Sequence, residues 1–215
     1  MGIAHRLAAR RRSLLRYERA LWERGVMRIA GVDEVGVGPL AGPLVAAAVI
    51  LPPEIGLRGV DDSKKLSRAV RERLSEELRS CALAFGVGVV TVEEVDRLNT
   101  FWASLLAMRR AVLALPLSPE HLLVDGRHIP EVDLPQERLI KGDSRSYSIA
   151  AASIVAKVER DTMMHAFDLD YPQYGFAHHM GYGTPEHLAA LNRHGPCPIH
   201  RRSFVPVSQA RLPGM

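Results

Sequence analysis

Asp33 and Glu34 stand at the end of the otherwise apolar run Ile29-Ala30-Gly31-Val32. Such a run reads as a buried strand, and an ionised carboxylate carried into it is costly unless something positive meets it. The same conflict recurs twice. Asp125 closes the run Leu122-Leu123-Val124, and Asp143 follows Leu139-Ile140 and a Lys-Gly pair. Read singly, these are turn acids, Asp33 capping a turn and Asp125 and Asp143 lying beside glycines. Read together, three acids at strand ends plus the neighbouring Glu34 converge on one edge of a sheet. A carboxylate cluster without matching cations takes hard divalent metals, Mg2+ or Mn2+. Two such ions stabilise the attacking and leaving oxygens in phosphoryl transfer. Nothing close to Glu34 in the sequence neutralises it.

The rest of the chain supplies a sheet for these acids. Arg28 to Val35, Pro43 to Leu51 and Ala82 to Val90 read as strands, with a glycine-rich turn after the first. Ser67 is a good N-cap for a helix that buries Val70, Leu74 and Leu78. Thr91 and Glu94 form a capping box for a further helix, which runs with or without a break to Leu115, where Pro116 stops it. Trp102 on that helix is expected in the core. Leu122 to Asp125 and Arg138 to Ile140 are short strands. A long helix runs from about Ser146 past Asp161, and Thr184-Pro185 opens the last one. Five strands in this order imply an α/β fold, a mixed sheet flanked by helices.

Charge is concentrated at one end. Residues 1–25 hold seven arginines against Glu18 and Glu23, so the formal net charge of +4 comes from this segment and the remainder is close to neutral. His5 to Arg24 reads as one basic helix ending at Gly25, partly packed with a solvated arginine face; a nucleic-acid arm is the second reading. The longest apolar run, Leu44 to Leu51, has eight residues, too short to span a membrane, and no signal peptide is expected. Cys81 and Cys197 are too few for a disulfide framework. A cytoplasmic, monomeric protein with no membrane association is the expectation. His178, His179 and His187 lack a cysteine or fourth ligand at zinc spacing, and Asp161 and Asp170 read as helix-surface or cap acids.

The first pair of acids opens the stretch Asp33-Glu34-Val35-Gly36-Val37-Gly38-Pro39-Leu40-Ala41-Gly42-Pro43. It is followed by Asp61-Asp62-Ser63-Lys64-Lys65-Leu66-Ser67, Val124-Asp125-Gly126, Lys141-Gly142-Asp143 and Ile149 to Val158. Tyr171-Pro172, Gly181-Tyr182-Gly183-Thr184 and His200-Arg201-Arg202-Ser203-Phe204 complete the series. This ordered set resembles the type 2 ribonuclease H family, specifically bacterial ribonuclease HII, over about residues 27 to 207.

The resemblance implies a ribonuclease-H-like catalytic domain over 27–170, a basic helical segment over 1–26 and a small helical extension with its tail over 171–215. It implies hydrolysis of the RNA strand of RNA–DNA hybrids and incision 5′ of ribonucleotides embedded in duplex DNA, leaving 3′-hydroxyl and 5′-phosphate ends. Asp33, Glu34, Asp125 and Asp143 would hold two divalent ions. Gly36, Val37, Gly38, Lys64, Lys65, Met180 and Tyr182 would face the nucleic acid, Tyr182 stacking on a sugar. Lys64 and Lys65 read equally as phosphate contacts or as a solvated loop.

Two positions depart from the family pattern. Val37 stands where an arginine is expected, and Met180 where a lysine is expected. Each change removes a cation from the nucleic-acid side. Backbone N–H groups of Gly36-Val37-Gly38 survive the change, but a valine needing φ > 0 would be strained. The alternative reading is a hybrid-binding protein of the same fold with weakened cleavage. A different two-metal nuclease on this fold is a third.

Overall fold

A computed structural model describes residues 3–55 and 57–210. The chain enters through two helices, α1 (Ile3–Leu14) and α2 (Arg16–Trp22). Strands β1 (Ile29–Val35), β2 (Leu44–Ile50) and β3 (Ala84–Val90) follow, with helix α3 (Arg68–Cys81) between the last two. Helix α4 (Val92–Leu113) leads to β4 (His121–Asp125) and β5 (Gln136–Leu139). The long helix α5 (Tyr147–Asp170) and three short ones, α6 (Phe176–His179), α7 (Pro185–His194) and α8 (Val205–Ser208), complete it.

The sheet order is β3-β2-β1-β4-β5. β1 and β2 pair antiparallel, as do β2 and β3, whereas β1, β4 and β5 run parallel. β2 is buried at every position because both of its faces are covered. Ala46, Ala48 and Ile50 join the core under α4 with Ala103, Ala107 and Ala111. Ala47 and Val49 join the opposite core, with Ala150, Ala151, Ile154 and Val155 of α5 and Leu74 and Leu78 of α3. This two-sided burial is why the strand reads as a continuous apolar run. α5 lies flush on β1: a Cβ on Gly31 would fall 2.0 Å from the backbone carbon of Ser148.

The mixed five-stranded α/β architecture agrees with the sequence. The capping box is present, with Glu94 N donating to Thr91 Oγ1 at 3.3 Å and Thr91 N to Glu94 Oε2 at 3.0 Å. Ser146 caps α5 through its Oγ, and Ser67 occupies the N-cap of α3 without a side-chain cap bond.

Two expectations need correction, the unbroken N-terminal helix and the buried Trp102, while α4 takes the broken form the sequence left open. The N-terminal helix is broken at Leu15, whose backbone at φ −78°, ψ 10° leaves the helical range and lets Leu14, Leu15 and Leu21 all reach the core. Helix α4 is interrupted at Asn99, whose backbone stands at φ 65°, ψ 167°. That break turns Trp102 outward, 53% exposed rather than in the core. Among the described residues no helix is long and apolar enough to cross a membrane.

Candidate active site

Side-chain alternation on β1 and β4 sets the site. Ala30, Val32, Leu122 and Val124 belong to the core under α4. Asp33 and Asp125 therefore point to the α5 side, and Glu34 to the α4 side. Val32 pairs in parallel register with Val124, so the next residues, Asp33 and Asp125, leave the sheet side by side. Asp143 lies on a single 3-10 turn, Gly142–Ser144, launched by Lys141 in the left-handed conformation. Gly142 N donates to Asp125 Oδ1 at 2.6 Å, which ties that turn to the end of β4.

The acids crowd one another in a dry setting. Asp33 is 5% exposed and Asp143 6%. Burial, then the charges of Glu34, Asp125 and Asp143, push the Asp33 carboxyl well above the carboxylate range. Burial, followed by Asp125, raises Glu34 to about 7, against the pull of Arg127 and Lys64. Asp125 is raised too, by burial first. Glu34 Oε2 is buried without a hydrogen-bond partner. As the side chains stand, no three carboxylates among the described residues close around a single point. Hard oxygen donors, raised pKa values and an orphaned carboxylate oxygen fit divalent cations. Lys64 Nζ lies 3.4 Å from Asp143 Oδ2 and contributes one positive charge.

Two buried arginines hold the neighbouring loops. Arg201 donates to the carbonyls of Gly36 (2.6 Å), Val37 (3.1 Å), Gly42 (2.8 Å) and Pro43 (3.2 Å). Arg160 donates to Pro43 (3.0 Å), Ala41 (3.0 Å) and Met180 (2.9 Å). Neither has a carboxylate partner among the described residues, and burial lowers Arg160 to about 10 and Arg201 to about 9. Gly36 needs its glycine: it has φ 95°, and a Cβ there would meet Arg160 Nε at 2.5 Å. The exposed Gly38 has its would-be Cβ 3.8 Å from the ring of Tyr182. The glycine loop and Tyr182, 43% exposed, thus form one continuous surface.

This frame of acids and arginine-held loops spans residues 33 to 201, and residues 30–207 match the family described as Ribonuclease HII. The chain belongs to the ribonuclease HII family. Ribonuclease HII of Geobacillus thermodenitrificans (strain NG80-2) is 60% identical over 205 residues, covering 94% of this chain and 79% of that protein. The solved ribonuclease H2 from Pyrococcus horikoshii OT3 is 27% identical with a TM-score of 0.73, covering 86% of this chain and 97% of that one. Bst-RNase HIII in complex with Mn2+ shares the fold at 21% identity and a TM-score of 0.66, over 86% of this chain and 69% of that one. The protein is accordingly a type 2 ribonuclease H, a divalent-metal-dependent nuclease acting on RNA–DNA hybrids.

Within this ribonuclease HII, the positions that depart from the family pattern have clear settings. Val37 is not among the residues with positive φ, so it carries no such strain, and it packs with Phe204 against the core under α4. Met180 does adopt the left-handed conformation, φ 51°. Its side chain packs with Phe176 and Met164 rather than reaching the acids, and its carbonyl is held by Arg160. Lys65 pairs with Asp61 at 3.4 Å and Asp62 at 3.7 Å. The expectation that Glu34 has nothing to neutralise it is corrected by Arg127 and Lys64, both remote in sequence or across the fold.

His187 has a structural role. Cys197 N donates to His200 Nδ1 at 3.0 Å, so the proton of His200 sits on Nε2. That Nε2 faces His187 Nε2 at 3.0 Å, leaving His187 Nδ1–H to donate to Tyr182 O at 2.9 Å. The N-terminal segment is also anchored: Glu18 is buried and accepts from Ser146 Oγ (2.6 Å) and Ser148 N (2.8 Å). Arg10 joins Asp61 to the carbonyl of Ser144, next to Asp143. Sequence reasoning missed the roles of Arg127 and Arg160 and saw Arg201 only as part of a motif. A groove between α3 and α5, lined by Arg68, Arg71, Glu76 and His165, contains none of the four acids.

Proposed function

We propose that this chain hydrolyses the RNA strand of RNA–DNA hybrids and incises 5′ of ribonucleotides embedded in duplex DNA, leaving 3′-hydroxyl and 5′-phosphate ends. Asp33, Glu34, Asp125 and Asp143 hold two divalent ions, Mg2+ or Mn2+. The observation that carries this reading is the parallel register of β1 and β4, with Asp33 and Asp125 adjacent and Gly142 drawing Asp143 toward them.

Bound divalent ions supply Lewis acidity, lowering the pKa of water and offsetting charge on the scissile phosphate. The chain's own residues do the rest. The acids fix where the reacting phosphate sits, and their burial excludes competing solvent. Lys64, beside Asp143, offsets charge on the phosphate oxygens. Backbone groups of Gly36, Val37 and Gly38, held from beneath by Arg201, present a fixed surface to the ribose. Tyr182 stacks on the adjoining sugar, and Lys65 adds positive charge at the rim. Met180 acts through its carbonyl, keeping the Tyr182 segment in place.

The test uses labelled duplex DNA containing one ribonucleotide, incubated with Mg2+ or Mn2+, with the cut mapped at nucleotide resolution. A cut on the 5′ side of the ribonucleotide, absent without metal, is expected. Binding without a cut supports the hybrid-binding alternative and overturns the proposal.

A further inference from the structure

On the side of the sheet to which Glu34 points, helix α4 presents two aromatic rings to solvent. Phe101 is 46% exposed and Trp102 53%, packed edge to face with centroids 5.1 Å apart. Exposed aromatic area forgoes burial that a straight helix could supply. The backbone prevents it. Asn99 stands at φ 65°, ψ 167°, a region almost reserved for glycine. Its Oδ1 accepts from Phe101 N at 2.9 Å and Trp102 N at 3.3 Å, restarting the helix with both rings outward. The chain therefore holds a costly conformation that displays two apolar side chains.

A cation is pinned to the same spot. Arg127, separated from Asp125 by Gly126 alone, lies over the Phe101 ring at 4.7 Å. Its Nη1 donates to the buried Ser104 Oγ at 2.9 Å. Among the described residues it forms no ion pair with a carboxylate within bonding distance, although its charge reaches Glu34. A fixed, unsated guanidinium beside exposed rings matches one kind of partner, a nucleic-acid strand that offers a phosphate to the cation and flat or apolar faces to the rings. The patch is continuous with the edge that carries the acids.

We infer that Arg127, Phe101 and Trp102 form a substrate contact next to the catalytic acids, Arg127 on a backbone phosphate and the two rings on the adjoining sugar and base. This rests on the nuclease reading above and adds a strand contact to it.

The test measures binding and cleavage separately. Binding uses the Asp125→Asn background with Mg2+ and a short DNA duplex carrying one ribonucleotide. Trp102 fluorescence should be quenched on titration, and Trp102→Phe should remove that signal, Trp22 giving a constant background. Replacing both rings (Phe101→Ala with Trp102→Ala) should weaken binding roughly 10- to 100-fold. Arg127→Ala should reduce the slope of log binding constant against log salt by about one phosphate contact. Cleavage by otherwise unaltered protein is mapped in parallel. If that protein cuts at the ribonucleotide while quench, affinity and salt slope are indifferent to these changes, the surface is wrong and the nuclease reading stands. If the protein neither binds nor cuts, the nuclease reading falls and this contact falls with it.

Discussion

Arg201 Nη2 donates to the carbonyl oxygen of Gly36 across 2.6 Å, joining residues 165 positions apart in sequence. Conversion to lysine keeps the charge but loses the planar fork that reaches four carbonyls. Arg201→Lys should destabilise the protein by about 2–4 kcal/mol, from buried acceptors left without donors. It should also raise KM more than it lowers the single-turnover rate, because the acids are untouched. Urea unfolding together with single-turnover kinetics checks both parts. Unchanged stability would show the loop to be held by other means.

Asp125→Asn should abolish cleavage while the metal-free protein stays folded and no less stable. Asparagine Oδ1 still accepts from Gly142 N, and one charge leaves a crowded cluster. Thermal unfolding with and without Mg2+ should show metal stabilisation in the parent and little in the variant. Full activity in the variant removes Asp125 from the site. In the parent, EDTA should stop cleavage and either Mg2+ or Mn2+ restore it.

Val37→Arg should tighten substrate binding, since nothing in the backbone at this position forbids the side chain. One added phosphate contact should steepen the salt dependence of log binding constant by about 0.9, with the saturated cleavage rate changing less. A flat salt slope with a faster cut would mean that this position acts on the geometry of the reacting phosphate. Met180→Lys should bring no such gain and cost roughly 1 kcal/mol, because the side chain sits in an apolar cluster.

Acid should loosen the histidine pair. Burial, then His187, lowers His200 from 6.5 to about 4, and burial lowers His187 as well. A histidine depressed in the folded state stabilises it fully above 6.5, and that contribution is lost as pH falls from 6.5 toward about 4. The loss should amount to roughly 1–3 kcal/mol across that window. Denaturant unfolding of the parent against His200→Gln over the same range should show the pH dependence shrink in the variant.

Deletion of residues 1–22 should cost folding before it costs chemistry. Leu14, Leu15 and Leu21 are buried, and each contributes about 2 kcal/mol by burial. Loss of soluble protein is the expected result. A soluble, stable deletion that cuts at the same place would show the two helices to be accessory, and a shifted cut would give them a part in positioning.

The acids were legible in the sequence because a carboxylate at the end of an apolar strand has few inexpensive explanations. The sheet was legible because β2, covered on both faces, leaves an unbroken run of apolar residues. Arg160 and Arg201 were not. An arginine on a helix, like Arg160, or in a loop, like Arg201, ordinarily reads as surface, and most of the carbonyls that satisfy these two come from a loop more than a hundred residues earlier. Trp102 was misread because apolar spacing assumes a straight helix, and one backbone angle at Asn99 reverses which side faces the core. The neighbours of Glu34 were hidden for a similar reason: sequence distance says little about what a parallel crossover brings alongside.

Synthesis order gives the Arg201–Gly36 bond a further meaning. All four acids have been made by the time residue 143 emerges, yet the loop that begins at Gly36 waits for a guanidinium at 201. A growing chain therefore carries its complete acid set long before its glycine loop is set. The segment between α7 and α8 acts as a latch on the first turn, and that turn is fixed only after residue 201 has been made.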